Sequence, residues 1–246
     1  MERRINGIML ENNNDNIKNT SKKSSILIEL QYFPPISYFK QIIEADAVIL
    51  EYHENFQKQT FRNRCEILTS NGIESLIIPI EHHKNNQTIK DIRIDYKQRW
   101  DKIHERTIRS AYGKSPFFDF FIEDFCSVWN KKHVFLWDLN IEILTLCLDK
   151  LRVRKEIILS KAYFSPENND TKDLLDLRDK ISPNEYSIYR QNSITPYQQI
   201  FGNDFVRDLS IIDLLFCAVL DSSELLAKIK IYKTCFFCLY HFFRSI

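Results

Sequence analysis

Residues 26–52 read ILIELQYFPPISYFKQIIEADAVILEY. Ile26–Tyr32 is an apolar run with the character of a buried strand, and Pro34-Pro35 interrupts it, because proline removes a backbone donor and restrains its neighbour. Ser37–Ala45 then places Tyr38, Ile42 and Ala45 on one side of a short helix. Ala47–Tyr52 is a second apolar strand. This order implies two parallel strands joined by a right-handed crossover, and it sets the fold class as α/β.

Further along, the apolar runs Cys65–Ser70 and Ile73–Ile80 flank Asn71-Gly72. Asn-Gly between two such runs predicts a tight hairpin whose two central residues both have positive φ. Asp91–Asp95 predicts another strand. From Trp100 the period becomes helical, with Trp100, Ile103, Thr107, Ile108 and Ala111 on one face. Gly113 is expected to end that helix at positive φ, and Ser115-Pro116 to start the next. Leu139–Leu151 predicts a third helix, Glu156–Ser160 a strand, Ser182-Pro183 a turn, and Ser210 the start of a late helix. The expected architecture is an N-terminal mixed sheet with a strand–helix–strand start and a hairpin, followed by a mostly helical C-terminal half. Residues 1–25 are expected to form a disordered leader, 26–230 a single α/β domain, and 231–246 an aromatic-rich tail too short to span a bilayer.

Composition narrows the function. The formal net charge of +1 over 246 residues gives no global excess for nucleic acid or a membrane surface. The four glycines, Gly7, Gly72, Gly113 and Gly202, are too far apart for a glycine-rich phosphate loop. A nucleotide would have to be held by side chains or a helix N-terminus. No cofactor is named by any motif. Zinc-protease, nucleophile-elbow and Asp-x-Asp patterns are absent. Cys235 and Cys238 have C-x-x-C spacing with no second pair, so they read as core thiols rather than a metal site. With no secretory signal ahead of the cysteines, the natural compartment is the cytoplasm.

Three groups of residues could carry chemistry. Glu51 and His53 share a face if the second strand runs through them, which would set an acid–base imidazole beside a carboxylate; a solvated Glu–His pair is the plainer alternative. Lys58, Gln59, Arg62, Asn63 and Arg64 follow. In extended chain Arg62 and Arg64 also share a face, and their forks suit phosphate or carboxylate; the alternative is a charged hairpin edge. His104 sits on the apolar side of its helix, where a hydrogen-bonded core histidine is the commoner outcome.

The run Tyr32-Phe33-Pro34-Pro35-Ile36-Ser37-Tyr38-Phe39 resembles the opening of WbqC-like proteins. The similarity continues through Glu51-Tyr52-His53, Phe56–Arg64, Ile78-Pro79-Ile80, Trp100 with His104, Ala111-Tyr112, Ser115–Phe118, Asp138-Leu139-Asn140 and Leu209–Phe216. It departs after Phe216, where many members carry Glu-Gly-Pro and this chain has Cys217-Ala218-Val219-Leu220. The resemblance implies a place in bacterial surface-polysaccharide (O-antigen) biosynthesis, with transfer of a glycyl or acyl group to an amino sugar. On that reading the partners are a small activated donor and a sugar acceptor. Arg62, Arg64 and Lys58 would hold the anionic donor, with Gln59 and Asn63 adding polar contacts. His53, oriented by Glu51, would take a proton from the acceptor, and His104 would be a reserve base. Tyr32, Tyr38 and Tyr112 would form an aromatic floor. A non-catalytic protein that binds a glycan or a nucleotide-type anion would use the same residues.

Overall fold

A computed structural model describes residues 25–165, 174–183 and 196–218. Residues 1–24 of the expected leader, the aromatic tail and the Cys235/Cys238 pair lie outside them, while Ser25, counted with the leader, is already strand. The first strand β1 (Ser25–Ile28), helix α1 (Ile36–Glu44) and strand β2 (Ala47–Leu50) form the expected unit. The two strands pair in parallel, with Ser25 opposite Ala47 and Ile28 opposite Leu50. Both are shorter than the apolar runs predict. The ladder closes where the Glu51 N–H donates to the Ile28 carbonyl at 3.0 Å. Beyond it the Tyr32 N–H turns to the Phe61 carbonyl at 2.9 Å, which takes the backbone out of the sheet.

Helix α1 starts at a proline with no side-chain cap. Its free donors are satisfied from far away. The Ser37 N–H and hydroxyl donate to the two oxygens of Asp208 at 2.8 and 3.0 Å. A carboxylate at that end also complements the helix dipole.

Strands β3 (Arg64–Thr69) and β4 (Gly72–Ile77) make the antiparallel hairpin. The turn residues are Ser70 and Asn71, and Gly72, not Asn71, has positive φ, at 102°. The expectation of positive φ at Asn71 is therefore corrected. Thr69 explains the shift: its Oγ donates to the Gly72 carbonyl at 2.9 Å and accepts from the Asn71 N–H at 3.2 Å, so the turn is closed from its own strand end.

No strand forms over Asp91–Asp95. A 3₁₀ turn, Ile89–Asp91, is followed by single bridges from Ile94 to Ile80 and from Arg93 to Phe135. Backbone groups there pair with two separate segments, so no ladder builds. Helix α2 (Trp100–Tyr112) buries Trp100, His104, Ile108 and Ala111. Ile103, expected inside, is 52% exposed, because the buried stripe runs through 100, 104, 108 and 111. Gly113 is helical at φ −59°, not left-handed. Its lack of a Cβ matters for another reason, since one would stand 2.5 Å from the Arg109 carbonyl oxygen. Ser115 does not cap α3 (Phe118–Asn130); its hydroxyl donates to the Tyr112 carbonyl at 2.6 Å.

Helix α4 (Leu136–Lys150) packs against α3, and α5 (Ile211–Ala218) packs against α1, α3 and β3. Two later strands, β5 (Ile157–Leu159) and β6 (Leu174–Asp176), return to the first sheet. The result is a four-stranded parallel sheet in the order β5-β2-β1-β6, with the β3–β4 hairpin as a separate pair. Parallel strands buried by helices are expected to be apolar runs, as Ile26–Ile28 and Ala47–Leu50 are. The architecture is α/β, with its parallel sheet, antiparallel hairpin and helices. Among the described residues, no helix is long and apolar enough to cross a membrane.

Candidate functional site

Along the sheet the chain steps one way, from β1 to β2 to β5, and then crosses back to place β6 on the other side of β1. In open α/β sheets, ligands sit beyond the carboxyl ends of the strands where the order reverses. Here the four loops leaving those ends bring charged and polar groups together. Glu29 and Gln31 follow β1, Glu51–Arg62 follow β2, Ser160 follows β5, and Asp176–Asp179 end and follow β6.

Glu51 is fully buried. One oxygen accepts from the Ser160 hydroxyl at 2.6 Å and the His53 N–H at 3.0 Å. The other accepts from the Phe164 N–H at 3.0 Å and Arg178 Nη1 at 3.1 Å. Glu51 thus pins three loops together. It holds the backbone of His53 rather than its imidazole, which corrects the expected orienting contact. The His53 ring is half-buried and lies edge-on to Tyr52, 5.3 Å between centroids. Tyr52 in turn packs against Trp137 at 4.8 Å.

Arg62 is also fully buried. It lies in a 3₁₀ turn, Phe61–Asn63, and Arg64 opens β3, so the two do not share a strand face as extended chain would require. The Arg62 fork grips Glu54, with Nε donating at 2.8 Å and Nη2 at 2.5 Å. Nη2 also lies 2.9 Å from Asp179 Oδ1, off the line of a hydrogen bond. Arg62 is therefore neutralised inside the protein and is not a free anion grip. Burial pushes the Glu54 carboxyl up to about 7 despite the guanidinium beside it. Burial also raises Glu29, again against Arg62. Asp179, at φ 62°, reaches the rim with its side chain 43% exposed. Its other oxygen accepts from Gln57 at 2.9 Å, and its N–H donates to Glu29 at 3.1 Å. Gln31 donates to Glu29 at 2.6 Å and to the Ile181 carbonyl at 2.8 Å.

Lys58 and Gln59 are exposed on the same loop, Gln59 at φ 62°. Asn63 is buried and donates to the Ile78 carbonyl at 2.9 Å. Arg64 is half-buried, and its Nε has no hydrogen-bond partner among the described residues.

The remaining expected residues are in the core. Tyr32, Tyr38 and Tyr112 are fully buried and form no exposed floor. Tyr38 donates to the Glu29 carbonyl at 2.9 Å, and Tyr112 donates to Asp213 at 2.9 Å. Tyr32 lies 3.0 Å from His104 Nδ1 and accepts from Trp129 at 3.2 Å. His104 Nε2 lies 3.2 Å from the Ile77 carbonyl. A carbonyl only accepts, so the proton is on Nε2 and Tyr32 donates to Nδ1. Burial lowers His104 to about 4. It is a neutral, satisfied core residue, which removes it as a reserve base.

Glu54, Asp179, Glu29, Gln31 and Arg178 were not among the expected site residues. Glu54 had one usable signal, its position beside His53 and eight residues before an arginine. Asp176-Leu177-Arg178-Asp179 carries no local mark of the loops it meets more than a hundred residues earlier. Among the described residues, no cluster of His, Cys, Asp and Glu has the arrangement of a metal site.

No solved structure matches the chain. An uncharacterized protein of Mycobacterium tuberculosis, Rv1507c, is 24% identical over 218 aligned residues, spanning 79% of this chain and 93% of that protein. The sequence profile of the WbqC-like protein family matches residues 31–192. That span takes in the loops after β2, β5 and β6 and most of the loop after β1, and on this match the chain belongs to the WbqC-like protein family.

Proposed function

We propose that this chain is a transferase of bacterial surface-polysaccharide biosynthesis, moving a glycyl or acyl group from an activated donor to the amine of an amino sugar. Family membership supports the pathway. The observation that carries the chemistry is the loop after β2, where the half-exposed His53 imidazole stands on backbone that Glu51 pins to the loops after β5 and β6. An imidazole within hydrogen-bond reach of a substrate nitrogen can serve as its general base. In the reaction, the acceptor nitrogen attacks the donor carbonyl and its proton passes to His53. The bond to the donor's leaving group breaks, and that group departs with the electron pair. Lys58 and Gln59, exposed on the same loop, contact the donor. Arg62 and Glu51 position the loop from beneath.

The alternative is a binding protein for a glycan or a nucleotide-type ligand. It is favoured by one observation: among the described residues, none hydrogen-bonds the His53 imidazole to fix its orientation. Turnover separates the two readings. The full chain is incubated with activated glycyl donors and amino-sugar nucleotides, and products are weighed by mass spectrometry. His53→Ala is expected to abolish transfer while leaving donor affinity and melting temperature nearly unchanged. Full activity in that variant would remove His53 from the mechanism, and no transfer by the parent with any donor would favour the binding protein. Arg62→Ala is the structural control, expected to lose about 3–5 kcal/mol of stability because it leaves Glu54 buried and unpaired.

A further inference from the structure

Arg62 is engaged by Glu54 and Asp179, but the loop after β2 borders a second cation, Lys90. The loop is zipped to residues 87–90. Asn55 and Thr88 form an antiparallel bridge. The Ile89 N–H donates to the Glu54 carbonyl at 2.9 Å, and the Phe56 N–H donates to the Gln87 carbonyl at 2.9 Å. Counting on in that register brings Lys90, in the 3₁₀ turn Ile89–Asp91, across from His53. Glu54 and Ile89 are buried, at 4% and 1% exposure. Successive residues of extended backbone alternate between faces, so His53, Asn55, Thr88 and Lys90 share the outer one. Asn55 is exposed and the other three are half-buried.

Three of these side chains keep their polar ends for a ligand. Among the described residues, the His53 imidazole, the Asn55 amide and the Lys90 ammonium have no hydrogen bond or ion pair. The Thr88 hydroxyl donates to Asp91, the carboxylate next to Lys90 in the chain. The half-buried Lys102, Lys150 and Arg178 each have a carboxylate partner. Lys90 is held by a ring instead. Its Nζ lies 5.5 Å from the centroid of Tyr52, the ring that has His53 edge-on at 5.3 Å. Tyr52 in turn leans on the buried Trp137, which ties the platform to the core. An aromatic face attracts an ammonium but leaves it N–H donors for an oxygen acceptor.

We infer that this row is the anion subsite of the donor, in which Lys90 binds the phosphate that activates the acyl group and the Asn55 amide adds a second hydrogen bond. The acyl group rests on the transferase reading; the anion rests on the row alone. The donor belongs here because its leaving group is bonded to the carbon that the amine attacks, beside His53. As the phosphate leaves, it takes the electron pair of its bond to that carbon, and the fixed ammonium meets the charge it gains. Lys90 stays protonated, and the amine proton passes to His53. The row thus supplies the cation that Arg62 and Arg64 suggest in sequence and that Arg62 does not provide.

The test is a titration of the full chain, labelled in its histidine rings, with inorganic phosphate and with adenosine monophosphate, followed by NMR. Both probes are expected to shift the His53 signals and to leave those of the core residue His104 in place. Tighter binding of the nucleotide assigns a nucleotide-type donor, and equal binding a simple acyl phosphate; each supports the subsite. Lys90→Gln should weaken both probes at least about tenfold, the loss of one charge-assisted contact. Lys90→Arg keeps the charge and should bind as the parent does, and so should Arg64→Gln at the start of β3. The parent's own shifts need no variant to fold. No shift at His53 with either probe, parental affinity in Lys90→Gln, an equal loss in Lys90→Arg, or an equal loss in Arg64→Gln would each overturn the subsite. Phosphate binding at this row without transfer would sink the transferase reading and leave the anion site standing. Transfer by Lys90→Gln with the parent's KM for the activated glycyl donor would do the reverse.

Discussion

At the scale of single residues, the fate of each charged side chain was set by what it met. Arg62 is chemically suited to phosphate, yet Glu54 arrives first, eight residues away, with bidentate geometry. The pair leaves a titration signature. Glu54 has a folded value raised from 4.5 to about 7. The folded state therefore binds the proton more tightly, and its stabilising contribution is complete below about 4.5 and lost as pH rises toward 7. The stability of the parent relative to Glu54→Gln should fall across that window by up to about 3 kcal/mol. His104, lowered to about 4, acts in the opposite sense between 6.5 and 4, but it is present in both proteins and cancels in the difference. Denaturant melts of the two proteins at pH 4.5, 6 and 7.5 measure it; a constant gap would mean that Glu54 is ionised throughout.

At the scale of elements, short-range chemistry was legible and its exact register was not. Asn71-Gly72 did mark the hairpin, because only a tight turn joins two such apolar runs. Which residue took the positive φ depended on the Thr69 hydroxyl, a contact within the strand end. The consequence is concentrated at one position. A Cβ on Gly72 would meet nothing within 4 Å, so space is not the constraint. Its φ of 102° is. Gly72→Val is expected to cost at least about 1 kcal/mol through backbone strain, with ligand affinity of the folded fraction retained. A valine variant as stable as the parent would require that the turn relax to negative φ. The α2 stripe carries a similar lesson. Periodicity placed His104 inward, but only the Tyr32 hydroxyl and the Ile77 carbonyl decide that it is a structural residue.

Across the whole molecule, the carboxyl edge of the sheet is one mechanical unit. Glu51 joins the loops after β2, β5 and β6 through four donors. Asp208, far along the chain, supplies the cap of α1. Glu51→Ala removes both carboxylate oxygens from that junction, leaving Arg178 with Asp176 and the Tyr163 ring, and the Ser160 hydroxyl with the Tyr52 N–H. Hydrogen exchange should then quicken together at 160–164 and 177–181, while β3 and β4 keep their protection, since they form a separate pair. Exchange that quickens only next to residue 51 would show that the three loops are held independently.

The sequence by itself determined the α/β class, the β1–α1–β2 unit, the hairpin, most helices and the family resemblance, because these rest on periodicity, turn chemistry and local order. It also pointed to the loop after β2 as the place where charged and aromatic residues gather. Tertiary structure alone decided that β6 lies beside β1, that Asp179 meets Arg62, and that Tyr32, Tyr38 and Tyr112 are core. Those facts depend on residues brought together from opposite ends of the chain. A charged side chain takes whichever partner the fold delivers under low solvent exposure, and spacing along the sequence carries no record of that partner.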